Sequence, residues 1–575
     1  MFKRGIQLLL IGVLLLPTAG LAQAFQSTSP TTITLNGVSI TVDGAGAVVE
    51  GTTVTISSAG DYSISGPLTD GQVIVNTQDE EPVRLILNGV DLRSSTSAPI
   101  YIADAEEAMI VLADGTTNTV TDSAAYVFAS PDEDEPNAAV FSKSDLNISG
   151  NGTLIVSANY NDGIASKDGL TIASGTITVS ALDDGIRGKD YLVVQSGTIT
   201  VNAQGDGLKS DNEEDAALGY ISIENGVLNI TAGGDAFDAQ TNVHISAGDF
   251  VITSGGGASG YVEASTSAKG IKGTANVTID GGTFTIDSAD DAIHSNNSLI
   301  VNGGTFTISS GDDGMHTDAT LEINGGDINI TYSYEGIESA VITINGGNIH
   351  LVATDDGLNV AGGADSSGMG GMPGQGGGPG GGGRPDGGGQ RGQDAFAASG
   401  DYFLYINGGY IVVDAIGDGI DVNGTIEMTG GIVLVNGPTE QMNGALDYDG
   451  LFTITGGFFV AVGSAGMAQA PGTTSSQYSL LLNLDSMEGP GTLIHIQTSD
   501  GTGLLTFAPT KLYQSIAFSS PDLVAGASYD VYIGGTSDGT LTDGLYQGGT
   551  YTPGTLYTSF TISDIVTSIG AAPFR

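Results

Sequence analysis

Apolar residues alternate with Thr, Ser and Asn in short runs along most of the chain. Leu170-Thr171-Ile172, Thr176-Ile177-Thr178-Val179 and Leu192-Val193-Val194 are examples. A period of two sends one set of side chains into a core and the other set outward, as in a half-buried strand. Helical periodicity is almost missing. The pattern predicts an all-β protein.

The runs repeat. Asp162-Gly163-Ile164 recurs as Asp184-Gly185-Ile186 and Asp206-Gly207-Leu208, and later as Asp291-Ala292-Ile293, Asp313-Gly314-Met315, Glu335-Gly336-Ile337 and Asp356-Gly357-Leu358. The step is 22 residues from Asp162 to Asp206 and from Asp291 to Glu335, then 21. Asp235-Ala236-Phe237 and Lys269-Gly270-Ile271 join the series at longer steps, and Asp418-Gly419-Ile420 resumes it after an insertion. Each unit reads as an Asp-Gly turn, a short strand, a second turn and a longer strand. The second turn is Ala173-Ser174-Gly175, Asn302-Gly303-Gly304, Asn324-Gly325-Gly326, Asn345-Gly346-Gly347 or Asn407-Gly408-Gly409; Asn-Gly and Gly-Gly supply the positive φ of a sharp corner.

So small a unit cannot bury its own apolar side chains, so units must stack. Ile172, Ile177, Val179, Leu192, Ile199 and Val201 then form a continuous inward column. The Leu-x-x-Leu-x-Leu pattern of a leucine-rich repeat is missing. The expected fold is a right-handed parallel β-helix of about 22-residue coils spaced by about 4.8 Å. The N-terminal part is expected to be less regular β structure and the C-terminal part a β cap, since the open ends of a solenoid are exposed edges. The expected divisions are a signal peptide (1–24), an N-terminal β region with the first coils (25–139), the repeats (140–470) and the cap (471–575). A Gly-rich loop (361–393) is inserted in the repeats, and Gly255 to Ala268 forms a shorter excursion.

Lys3 and Arg4, the apolar run Ile6 to Leu16 and Ala22-Gln23-Ala24 have the form of a secretory signal cleaved before Phe25. The expected location is secreted or on the extracellular surface, with no membrane span. There is no cysteine, which excludes disulfides and thiol chemistry. Against 15 Lys and Arg stand 65 Asp and Glu, a net charge of −50. Such a surface argues against nucleic acid and favours calcium, other cations or a calcium-bridged acidic polymer.

Stacking puts Asp162, Asp184 and Asp206 one above another, and likewise Asp168, Asp190 and Asn212, and Lys167, Lys189 and Asp211. Carboxylates about 4.8 Å apart repel by roughly 3–4 kcal/mol at an effective dielectric near 20. Lysine and arginine in a neighbouring column relieve part of this, and calcium, with its six to eight oxygen ligands, can relieve the rest. The candidate calcium ligands are Asp162, Asp183, Asp184, Asp206, Asp211, Asn212, Asp290, Asp291, Asp312, Asp313, Asp355, Asp356 and Asp418. The column Asp291, Asp313, Glu335 and Asp356 has fewer basic neighbours, so the pressure for a cation is greater there. His294 and His316 stand three residues after its first two members, as a transition-metal pair or a surface ladder. The plainer role of any one Asp is a turn cap, its carboxylate accepting from backbone N–H groups.

The stretches Tyr160-Asn161-Asp162-Gly163-Ile164, Asp183-Asp184-Gly185-Ile186-Arg187-Gly188-Lys189-Asp190-Tyr191-Leu192 and Gly205-Asp206-Gly207-Leu208-Lys209-Ser210-Asp211-Asn212 carry a more specific signal. With Leu87-Asn88-Gly89-Val90 and Ser97-Ala98-Pro99-Ile100-Tyr101, the chain resembles a bacterial family of exported parallel β-helix proteins that bind carbohydrate, first described in a cellulolytic clostridium. The resemblance implies binding to plant-wall polysaccharide, cellulose or polygalacturonate, and several calcium ions, without established catalysis. Lys269 and Glu335 depart from the family's Asp.

An acidic face repels a polyuronate unless calcium bridges the two. Cellulose needs flat rings, and with no tryptophan these must be tyrosines. Tyr160, Lys167, Arg187, Lys189, Tyr191 and Lys209 are the candidate carbohydrate contacts. The chain is read as a binder and not an enzyme. The alternatives are a calcium-dependent lyase of pectate-lyase-like fold, with Asp183, Asp184, Asp206 and Arg187 as its cluster, and a passive surface scaffold.

Overall fold

The computed structural model describes residues 30–128, 130–263, 266–361 and 402–570. The expected signal segment and nearly all of the Gly-rich insert lie outside the described residues. Within them every regular element is a β-strand, and no helix is long and apolar enough to cross a membrane.

A large mixed sheet of 47 strands and a smaller sheet of six make up the molecule. In the large sheet three strands recur per repeat, and each pairs in parallel with its counterpart one repeat on. The short strands Asp162–Ser166, Ile186–Gly188, Leu208–Ser210, Phe237–Ala239, Ile271–Gly273, Ile293–Ser295 and Met315–Ile323 form one such ladder. Gly169–Ile172, Tyr191–Val194 and Tyr220–Ile223 belong to a second. Thr176–Ala181, Thr198–Ala203 and Val227–Ala232 belong to a third. The register places Ile177 opposite Ile199 and Val179 opposite Val201, which is the 22-residue step of the sequence.

Alternation along each strand decides what is buried. Ile172, Ile177, Val179, Leu192, Ile199 and Val201 all lie in the core, while Thr176, Thr198 and Thr200 of the same strands face out. Where the inward residue is aromatic the rings stack: Phe250, Phe284 and Phe306 follow one another at 4.6 Å, almost coplanar. Such offset pairs add about 0.5–1.5 kcal/mol to the burial of the rings.

The glycines of the two turns have different jobs. Gly304, in the Asn-Gly-Gly corner, has φ +113, the left-handed region the sequence predicts for it. Gly185, in the Asp-Gly motif, has no positive φ. A Cβ there would stand 2.3 Å from Val201 Cγ1 and 2.6 Å from the Gly207 carbonyl oxygen. The Asp-Gly glycine is thus required by the closeness of the next repeat. The corner asparagines hydrogen-bond to one another: Asn324 donates to Asn302 at 2.9 Å, Asn345 to Asn324 at 2.8 Å and Asn407 to Asn345 at 2.9 Å.

The parallel pairing extends into the N-terminal region, through Thr53–Ile56 with Gln72–Asn76 and Thr31–Leu35 with Gly60–Leu68. At the other end it stops. Phe458–Gly463 and Ser479–Glu488 pair antiparallel with Tyr513–Ser519, which closes the exposed edge of the last repeat. The smaller antiparallel sheet, including Ile494–Thr498, Ser528–Ser537 and Tyr551–Thr561, holds a second core around Phe507, Tyr513, Phe518 and Tyr529. Asp543 ties this part to the repeats by accepting from Tyr410 Oη at 3.0 Å and meeting His350 at 3.1 Å.

Candidate functional site

The aspartates of the repeat do stack, and each serves the next repeat. Asp162 Oδ1 accepts the backbone N–H of Asp184 (3.3 Å), Asp184 Oδ1 that of Asp206 (2.9 Å), and Asp206 Oδ1 that of Asp235 (2.8 Å). Asp235 does the same for Lys269, Asp291 for Asp313, Asp313 for Glu335, and Asp356 for Asp418. Lys269 has no acceptor to offer, and there Asp290 Oδ1 takes the Asp291 N–H instead, at 2.9 Å. The column is therefore a chain of turn caps that acts between repeats, where the expected cap lay within one turn.

One carboxylate oxygen is used by the cap. The other faces a second column, three residues on, built by the strand that follows the turn. Register aligns Arg187, Lys209, Asp238, Lys272, His294, His316, Glu338, Asn359, Asp421 and Asp447 in that order. The column begins basic, passes through two imidazoles and ends acidic.

At the basic end the charges are matched. Lys209 Nζ lies 3.1 Å from Asp184 and 2.7 Å from Asp206. Lys272 bridges Asp235 (3.0 Å) and Asp238 (2.9 Å). Lys269, inside the first column, bridges Asp290 (2.9 Å) and Asp291 (2.7 Å). Arg187 is 2.6 Å from Asp211 and 3.7 Å from Asp162. Burial still pushes the Asp162 carboxyl up to about 7 and that of Asp184 to about 6.

In the middle, His294 Nδ1 is 2.8 Å from Asp291 and His316 Nδ1 is 2.9 Å from Asp313. The two rings lie 5.0 Å apart. Both are buried, so the pair is an interior ladder and not the surface one weighed from sequence. Burial raises the Asp291 carboxyl, but Lys269 and His294 outweigh it and hold the group well below the usual range.

At the acidic end the second column holds Glu338, Asn359 and Asp421 in place of lysine or arginine. Asp356, Asp418 and Asp421 each offer a carboxylate oxygen within 4.8 Å of the others. Burial, then Asp421 and Asp418, push the Asp356 carboxyl up to about 8. Burial pushes Asp418 up to about 6. The Asn359 carboxamide turns its Nδ2 to Glu335 Oε2 at 2.6 Å, and its buried Oδ1 has no hydrogen-bond partner. Asn359 pairs with Asp421 across the ladder, and an amide oxygen together with carboxylates is a set of hard donors, the kind that suits calcium.

The structure sorts the predicted ligands. Asp356 and Asp418 meet, as do Asp290, Asp291 and Asp312, while Asp206 meets Asp235 and Asp238. Asp313 joins His316 and Glu338. Asp355 adds its charge beside Asp356. Asp162 and Asp184 face Arg187 and Lys209, and Asp183 is exposed. Asp211 holds Arg187 in a two-pronged contact. Asn212 donates to Asp190 and accepts the N–H groups of Glu214 and Asp215, so it shapes a loop. Asp238, Glu338, Asn359 and Asp421 are the functional positions missed from sequence; each stands three residues after a member of the Asp column, a spacing noted only for the histidines.

Of the predicted carbohydrate contacts, Lys167 is 2.7 Å from Glu135 and Lys189 is 3.8 Å from Glu214. Arg187 and Lys209 are occupied as described. Tyr160 stacks on Tyr126 at 4.2 Å and Tyr191 on Tyr220 at 5.7 Å. All four rings are half-buried, and Tyr191 lies over Gly169, where a Cβ would meet its ring at 2.0 Å.

A family of carbohydrate-binding domain-containing proteins matches residues 50–314. A carbohydrate-binding domain-containing protein of Acetivibrio thermocellus is 48% identical over 203 residues, which are 35% of this chain and 71% of that protein. A solved structure of a polysaccharide lyase-like protein from C. thermocellum, a gadolinium derivative, is 32% identical, with a TM-score of 0.39 over 47% of this chain and 96% of the other. The acidic end of the column, from Glu335 to Asp447, lies beyond the residues that the family matches. On the sequence identity and its span, the chain belongs to the family of carbohydrate-binding domain-containing proteins.

Proposed function

We propose that this chain is an extracellular carbohydrate-binding protein, a right-handed parallel β-helix that binds plant-wall polysaccharide and holds calcium in its Asp columns. Three parallel ladders per repeat, advancing by one repeat at each turn of the chain, support the helical winding, and the general rule for parallel crossovers gives the hand. Family membership supports the carbohydrate partner. The observation that carries the calcium reading is the cluster of Asp356, Asp418 and Asp421 with the buried, unpartnered Oδ1 of Asn359. Acidic pectin-type chains are favoured, because calcium shared between protein and sugar carboxylates turns repulsion into a bridge. Cellulose, stacked on Tyr160 and Tyr191, is the second ligand on this reading.

A binder is favoured over a lyase for a physical reason. Arg187, the base that a pectate-lyase-like reading requires, is fixed by Asp211 and Asp162. The acids around it hold its proton more firmly despite burial, the reverse of what a general base needs. Polygalacturonate pull-down with and without chelator tests the reading. Chelator-sensitive retention supports the bridge. No retention of either polygalacturonate or cellulose refutes the function, and ultraviolet-absorbing unsaturated products would make the protein a lyase.

A further inference from the structure

Between the basic and acidic ends, the column holds a donor set of a different kind. Asp313 and His316 come from one repeat and Glu338 from the next. One ligand atom of each lies within 4.8 Å of the other two. His316 Nδ1 is 2.9 Å from Asp313 Oδ2 and 3.3 Å from Glu338 Oε2. Side-chain exposure is 3% for His316, none for Asp313 and 16% for Glu338. A tetrahedral zinc-type ion with bonds of about 2.0–2.1 Å keeps its ligand atoms about 3.3 Å apart. The two sides that meet at His316 Nδ1 are already close to that size.

The charges point the same way. The imidazole of His316 is faced by Asp291 and His294 from the preceding repeat, by Asp312, Asp313 and Asp318 of its own, and by Glu335 and Glu338 of the next. Lys269 compensates Asp291. Beside Asp313, Glu335 and Glu338 stand the His316 imidazole and the neutral amide of Asn359. A divalent ion held by His316 Nδ1 and the two carboxylates would bring two positive charges among these acids.

We propose that Asp313, His316 and Glu338 form a site for a divalent transition ion of the zinc type, distinct from the oxygen-only cluster at Asp356, Asp418 and Asp421. A nitrogen ligand selects zinc, cobalt or nickel over calcium, which takes oxygen. Three protein ligands leave a fourth position to water.

The test uses the full chain, stripped with chelator, with cobalt(II) as a spectroscopic probe in a large excess of calcium. Expected is a saturable visible band at one ion per chain that zinc removes. His316→Gln abolishes the band. Glu338→Gln, at the less buried corner, keeps the imidazole and weakens cobalt binding by about tenfold or more. Asp356→Asn leaves the band unchanged. The proposal is overturned if calcium prevents cobalt binding, or if the band persists in folded His316→Gln. It is equally overturned if Glu338→Gln binds cobalt as tightly as the parent.

Discussion

The repeats from Asp162 to Asp235 and those from Glu335 to Asp447 share one backbone plan and differ in the residue three places after the column carboxylate. In the first region that place holds Arg187 and Lys209, whose charged ends reach Asp162, Asp184 and Asp206, and then Asp238, which shares Lys272 with Asp235. In the second it holds Glu338, Asn359, Asp421 and Asp447. The same stack of carboxylates is thus neutralised from within at one end and left strongly acidic at the other. The fold needs the column for its turn-capping hydrogen bonds, so the acids cannot simply be dispensed with. What varies is the source of the positive charge: the chain's own side chains in one region, and on the proposed reading a bound ion in the other.

Breaking the internal compensation should cost most. Lys269→Met removes the ammonium that lies 2.7 Å from the fully buried Asp291, and is expected to destabilise the protein by about 3–5 kcal/mol in denaturant unfolding. A loss under about 1 kcal/mol would show that these pairs contribute little.

The next effect belongs to the acidic end. The folded-state carboxyls of Asp356 and Asp418 lie above their unfolded value, so the folded protein binds the extra protons. Their contribution is full below about pH 4 and is lost as pH rises through about 6 to about 8. In chelator the melting temperature should therefore fall across that window. Calcium at a hundredfold excess over its Kd should restore about 2.7 kcal/mol and reduce the slope, and Asp356→Asn should reduce it without calcium. A slope that calcium leaves unaltered would separate these acids from any ion.

Converting one region into the other gives a smaller and sharper effect. Asp421→Lys places an ammonium where Lys209 stands in the first region. It should stabilise the chelated protein by about 1–2 kcal/mol and remove one calcium from the stoichiometry. Unchanged calcium binding would place the ion elsewhere. Smallest is the exposed asparagine ladder, which runs from Asn302 to Asn407. Asn345→Ala should cost about 0.5–1 kcal/mol, equally with calcium and with chelator.

The period, the inward residues and the Asp column were legible because each repeats at a fixed step. The shortage of bases after Asp291 was legible too. The second column was harder to read, since its members share no residue type: Lys209, His316, Asn359 and Asp421 are alike only in register. The insert hides the last of these, because Asn359 and Asp421 are 62 positions apart in sequence yet face each other across one ladder. Asp211 read as a metal ligand because it sits in a carboxylate-rich stretch. Its partner Arg187 lies 24 residues earlier, a pairing that only the stacked register brings about. The close approach that demands glycine in Asp-Gly was hidden for the same reason, since its neighbour is the next repeat.

Calorimetric titration of the chelator-stripped full chain with calcium, beside Asp356→Asn and Asp418→Asn, tests the central claim most directly. Saturable binding by the parent and the loss of at least one ion per chain in each variant are expected. Binding that both variants retain unchanged, or no binding by the parent, would contradict it and leave the carboxylates of both regions as turn caps alone.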